Sequence, residues 1–148
     1  MTIVAEISVS LDGFVTGPDP DVEHGLGRGG EKLHAWALDA VNEDTFGLLR
    51  DGPLATGAVV MGRRTSDIID DPNGWSKDEG YVPGQPFAPP AFVLTHQIPD
   101  SVRLASQFTF VTDDIEKAID RARALAAEKN VAVMAGGECT TMRLPRTD

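Results

Sequence analysis

Short apolar runs that stop at turn residues limit this chain more than any other feature. Val131-Ala132-Val133-Met134-Ala135 is apolar throughout and ends at Gly136-Gly137-Glu138. A run of that length is too short for a solitary helix and suits a strand buried on both faces of a parallel sheet. Two glycines at its carboxyl end let a backbone come close to something bound there. In open α/β sheets, ligands sit outside the carboxyl ends of the strands.

The same signal recurs along the chain. Residues 3–11 alternate, with Ile3, Ala5, Ile7, Val9 and Leu11 on one face and Glu6, Ser8 and Ser10 on the other, as in a strand whose second face is less buried. Asp12-Gly13 ends it. Residues 17–30 form a loop of Pro, Asp and Gly, long enough to be either a mobile loop beside a binding cleft or plain surface. Residues 31–50 carry a helical pattern through Leu33, Trp36, Ala37, Ala40 and Val41, with a possible break at residues 42–44 and a stop at Asp51-Gly52-Pro53. Residues 58–61 are the next strand, and residues 66–69 the first turns of a helix closed by Asp70-Asp71-Pro72-Asn73-Gly74. A second long loop covers residues 72–90, where Trp75, Tyr81 and Phe87 read as anchors to the body of the protein. Residues 91–95 and 108–112 are further strands. Asp113 with Glu116 resembles a capping box, and Ile115, Ala118, Ile119, Ala122, Leu125 and Ala126 form an apolar stripe that stops at Asn130. This order predicts an α/β fold, a parallel-rich sheet with helices on both faces in three layers.

Composition narrows the function. At 148 residues the chain is expected to be one domain spanning 1–148. Its net charge of −10 argues against nucleic acid, whose binding depends on neutralising phosphates with Lys and Arg. The lone cysteine, Cys139, excludes a disulfide within the monomer and reads as a bystander thiol. No apolar run approaches the roughly 20 residues that cross a membrane, and no signal peptide is evident, so a cytoplasmic protein without membrane association is expected. His24, His34 and His96 are scattered, so no metal site is expected.

Four motifs could carry chemistry. Gly62-Arg63-Arg64-Thr65 stands at a strand-to-helix junction, where unpaired N–H groups and the helix dipole suit a phosphate. Gly62 would let it approach, Arg63 and Arg64 would supply bidentate donors, and Thr65 could cap the helix or donate its hydroxyl. Two arginines at a helix start oppose the dipole, so something must compensate; the alternative is a basic helix start with no ligand. Gly136-Gly137 could hold a ligand or be a plain turn. Thr95-His96, at the end of a strand, could meet a ribose or phosphate or simply lie at the surface. Asp12, in Ser10-Leu11-Asp12-Gly13, could orient a polar substrate or only make a turn.

Taken in order, Ser10-Leu11-Asp12-Gly13-Phe14, Val59-Val60-Met61-Gly62-Arg63-Arg64-Thr65, Phe92-Val93-Leu94-Thr95-His96, Phe110-Val111-Thr112-Asp113-Asp114 and Val133-Met134-Ala135-Gly136-Gly137 resemble the dihydrofolate reductase-like fold. More closely, the set resembles the riboflavin-biosynthesis reductase (RibD C-terminal) family over roughly residues 3–138. The resemblance implies an oxidoreductase that takes hydride from NADPH and reduces a small heterocycle, the family's named activity being reduction of a ribosylamino-pyrimidine, 5-amino-6-(5-phosphoribosylamino)uracil. It implies that Gly62, Arg63, Arg64 and Thr65 meet the cofactor phosphates, with Arg63 at the 2′-phosphate. It further implies Thr95 and His96 by the adenosine end, Ala135, Gly136 and Gly137 at the pyrophosphate, and Asp12 on the substrate side. The family pattern stops at about residue 138, so a domain lacking its C-terminal strands is expected. The first strand would then be an exposed edge seeking a partner, which makes a homodimer the expected assembly. The other reading is a non-catalytic paralogue that keeps partial nucleotide binding or serves as an assembly partner.

Overall fold

The computed structural model describes residues 1–5, 7–21, 23–38, 43–72, 74 and 89–134, without the side chains of residues 37–38, 43–46 and 48. The strands are β1 (Ile3–Ala5), β2 (Thr56–Gly62), β3 (Ala91–Leu94), β4 (Phe108–Val111) and β5 (Asn130–Met134). The helices are α1 (Ala35–Leu38), which follows a 3-10 turn, α2 (Glu43–Leu54), α3 (Arg63–Asp70) and α4 (Ile115–Ala126). The strands form one sheet in the order β1-β5-β2-β3-β4, and every neighbouring pair is parallel. The α/β fold class expected from the alternation is therefore present.

Side-chain alternation splits the core between the two faces of the sheet. Ala58, Val60, Phe92, Val111, Val131 and Val133 meet Ala118, Ile119, Ala122 and Ala126 of α4 on one face. Val59, Met61, Ala91, Val93, Phe108 and Ala132 meet Ile69 of α3 and Leu104 on the other. Because β2 and β3 are covered on both sides, they read as unbroken apolar runs. Leu125 departs from the expected stripe: it lies at its margin and is exposed.

Several boundaries differ from the sequence expectation. Among the described residues, the alternating run at residues 3–11 pairs through Ile3, Val4 and Ala5, which lie opposite Val131, Ala132 and Val133 of β5. Further along the run Ile7, Val9 and Leu11 are exposed. Helix α2 runs through Gly52 and Pro53 to Leu54. Its last turn closes because the Ala55 N–H donates to the Asp51 carbonyl at 3.0 Å and the Thr56 hydroxyl to that of Gly52 at 3.0 Å. The N-cap of α4 is Asp114 rather than Asp113, and its carboxylate accepts the Lys117 N–H at 2.8 Å. Asn130 does not stop α4 but opens β5, donating its N–H to the Ala55 carbonyl at 2.8 Å and accepting the Thr2 N–H on its side chain at 3.0 Å.

The 17–30 loop is built on close backbone contact. The Gly17 N–H donates to the Leu26 carbonyl at 2.7 Å, and the Arg28 N–H to that of Pro18 at 2.9 Å. A Cβ on Gly27, whose φ is +75°, would lie 2.2 Å from the Gly17 oxygen, so these two strands of the loop meet only as glycines. Within it, the Asp21 carboxylate accepts the His24 N–H at 2.6 Å, which holds its pKa below the ordinary carboxylate value. Trp75, Tyr81 and Phe87 lie outside the described residues.

Candidate functional site

The sheet brings two of the singled-out segments to one end of its strands. Gly62 lies opposite Leu94, so the start of α3 and Thr95-His96 leave adjacent strands at the same end. On the other side of β2, Met61 lies opposite Met134. Ala135, Gly136 and Gly137, which follow Met134 in sequence, lie outside the described residues, as does Cys139.

Gly62 is the N-cap of α3 with φ −80° and ψ 162°, extended backbone that any residue adopts. Its backbone conformation makes no demand for glycine. Arg63, the first residue of the helix, does not project freely. Its Nε donates to Oδ1 of Asp67 at 2.7 Å, one helical turn on, and its Nη1 donates to the Gln97 carbonyl at 3.1 Å. Arg64 is exposed and its Nη2 donates to the Pro20 carbonyl in the 17–30 loop. The same loop sets Gly25 against the side chain of Ile68, so it packs along α3. The compensation that two arginines at a helix start require is thus supplied within the protein, by Asp67 and by backbone carbonyls. Thr65 is half-buried in the first turn.

Thr95 is buried, and its hydroxyl donates to the same Gln97 carbonyl at 2.8 Å while accepting the Gln97 N–H at 3.3 Å. Its role is therefore to shape the turn that presents Gln97 to Arg63. His96 is exposed beside it. Arg63, Gln97, Ile98, Pro99, Asp100 and Ser101 line an open groove of about 330 Å³. This lies at the small end of the range for ligand pockets, about 300–1,000 Å³. Asp12 is not one of the lining residues. Its carboxylate accepts the Ser10 hydroxyl at 2.6 Å in a turn where the Gly13 N–H donates to the Ser10 carbonyl at 2.9 Å.

Gln97, Asp67 and Asp100 were not among the sequence candidates. The Arg63–Asp67 pair has a legible signal, opposite charges at i and i+4 on a helix. Gln97 acts through its carbonyl, which no residue type announces. Among the described residues, no group of three His, Cys, Asp or Glu could hold a metal ion, and no helix is long and apolar enough to cross a membrane.

No protein-family model matches the chain, and no curated protein matches it. A solved structure does. It is the crystal structure of a protein from Shewanella sp. PV-4 provisionally described as a riboflavin biosynthesis protein, with a TM-score of 0.55 at 19% identity. The match covers 90% of this chain and 64% of that one. The likeness is one of fold. It agrees with the α/β architecture expected from the sequence, and the chain spans less than two thirds of its neighbour's length.

Proposed function

We propose that this chain is a reductase module of the riboflavin-biosynthesis, dihydrofolate reductase-like type, transferring a hydride from NADPH to a small heterocyclic substrate of the ribosylamino-pyrimidine kind. The observation that carries the reading is the groove at the carboxyl end of β2 and β3, with Arg63 at its wall, in a fold shared with a protein described as belonging to riboflavin biosynthesis. A guanidinium has five N–H donors in a fixed fork. Two are engaged by Asp67 and Gln97 among the described residues, so Nη2 and the second Nη1 hydrogen can still meet a phosphate.

On this reading Arg63, Arg64 and the first turn of α3 hold cofactor phosphates. Thr95 and His96 lie by the adenosine end, Thr95 through the turn it shapes, and Ala135, Gly136 and Gly137 hold the pyrophosphate. Asp12 stands on the substrate side, a role that rests on the family resemblance. The cofactor supplies the hydride; the chain's part is to position the reactants and shape their electrostatics. Fluorescence titration with NADPH and NADH tests this. Binding of NADPH that weakens about tenfold or more in Arg63→Ala is expected, the loss of a hydrogen bond to a charged group. Failure of both cofactors to bind sinks the reading.

A second reading is favoured by a different observation. Val9, Leu11 and Phe14 lie exposed beyond β1. On this reading the chain keeps nucleotide binding and acts as an assembly partner without turnover, as a homodimer through that surface. Cofactor binding without hydride transfer to any pyrimidine substrate would select it.

A further inference from the structure

We infer that Asp67 is a specificity-determining residue, holding Arg63 against anions and lowering the discrimination between a phosphorylated and an unphosphorylated adenosine ribose. This rests on the proposed reading of the groove as a dinucleotide site. The Nε–H of Arg63 meets Oδ1 of Asp67 at 2.7 Å, the length of a charge-assisted bond. Both side chains spring from one helix, so the pair forms without recruiting any other element. Gln97 takes a second donor of the same guanidinium.

An incoming phosphate therefore meets an arginine whose charge is already balanced, and it meets the carboxylate that balances it. Asp100, on the groove wall, adds another carboxylate. Of the residues that line the groove the charged ones are Arg63 and Asp100, and Asp67 stands against Arg63 from the next turn of α3. That balance opposes a 2′-phosphate and leaves carboxylate oxygens that can accept ribose hydroxyls. Both members of the pair are more than a third exposed, so solvent and salt temper the effect without abolishing it.

The experiment compares wild type, Asp67→Asn and Asp67→Glu by fluorescence titration with NADPH and NADH over a range of salt. In parallel, inorganic phosphate is titrated while the Arg63 Nε resonance is followed by NMR. Asp67→Asn is expected to raise the NADPH-over-NADH affinity ratio about threefold to tenfold at low salt, with the gain fading as salt is added. Asp67→Glu, which keeps the charge one methylene further out, is expected to retain the wild-type ratio. Phosphate should bind Asp67→Asn more tightly by a similar factor. An unchanged ratio together with unchanged phosphate affinity overturns the inference while leaving the reductase reading intact. Tighter phosphate binding with no binding of either dinucleotide upholds the Arg63–Asp67 competition and sinks the dinucleotide site instead.

Discussion

With Asp19, Ala127 is one of two non-glycine residues with positive φ among the described residues. It caps α4 with φ 53° and ψ −121°, and the Lys129 N–H closes the turn on the Ala126 carbonyl at 3.0 Å. Those angles are those of the first central position of a type II′ turn, where glycine is the favoured residue. The cause lies beneath it. A Cβ on Gly57 would stand 2.5 Å from the Ala126 oxygen and 2.8 Å from the Lys129 Cβ, so the end of α4 crosses β2 at backbone contact. The chain must then reverse within a few residues to enter β5 at Asn130, opposite Thr56. Strain of this kind costs about 1–3 kcal/mol, and a glycine gives back only part of that as unfolded-state entropy. Ala127→Gly should therefore raise stability by about 1 kcal/mol, seen as a higher urea midpoint at unchanged slope. A lower midpoint would show that the turn is relaxed as it stands.

Helix α3 carries the proposed phosphate site, yet the core holds it loosely. Only Ser66 and Ile69 of its eight residues are buried, and Ser66 spends its hydroxyl on the Arg63 carbonyl at 2.6 Å. Polar staples at both ends make up the difference. At the amino end Arg63 reaches the Gln97 carbonyl. At the carboxyl end the Arg103 guanidinium donates to the carbonyls of Ile69, Asp70 and Asp71 at 3.1, 2.7 and 2.8 Å. The Asp70 carboxylate in turn accepts the N–H groups of Arg103 and Leu104 at 2.8 and 2.7 Å. Arg103 thus caps the last turn of α3 and ties it to the β3–β4 connection that walls the groove. Arg103→Ala should destabilise the fold by about 1–3 kcal/mol, because partly buried carbonyls lose a charged donor. It should also weaken NADPH binding although Arg103 lies outside the groove. An unchanged urea midpoint would remove the staple from the account. None of this was legible beforehand, since carbonyl partners leave no mark on residue type. What was legible followed burial and local chemistry. β2, β3 and β5 stood out because both faces are covered, and Gly62-Arg63-Arg64-Thr65 stood out as a helix start. The alternation over residues 3–11 reports a strand's pattern and not its length: among the described residues pairing is found at Ile3, Val4 and Ala5, opposite Val131, Ala132 and Val133.

At the scale of the whole molecule, β1 and β4 are the two edges of the sheet among the described residues, and exposed apolar side chains follow β1 in the chain. Val9 is 54% and Phe14 64% exposed, and Leu11 is fully so. Residues 2–11 contain no Lys and no Pro, and a single charge at Glu6, so the usual devices that keep an edge from pairing are nearly absent. Burying side chains of this size contributes about 1.5–3 kcal/mol each, and a two-fold interface buries each residue twice over. Against this stands self-repulsion, since each copy carries −10. Repulsion between exposed charges is screened over about 8–10 Å at physiological salt, whereas apolar contact is not weakened by it. The proposed homodimer should therefore tighten as salt rises, the reverse of an assembly held by ion pairs. Light scattering on the eluting protein should give twice the 15.8 kDa chain mass, more completely at high salt. Val9→Lys with Leu11→Lys should return the single-chain mass while leaving the NADPH affinity as it was, because neither residue lines the groove. A wild-type protein that stays monomeric at every salt concentration would sink the dimer. It would also show that something other than charge repulsion keeps this surface unpaired, since high salt screens that repulsion.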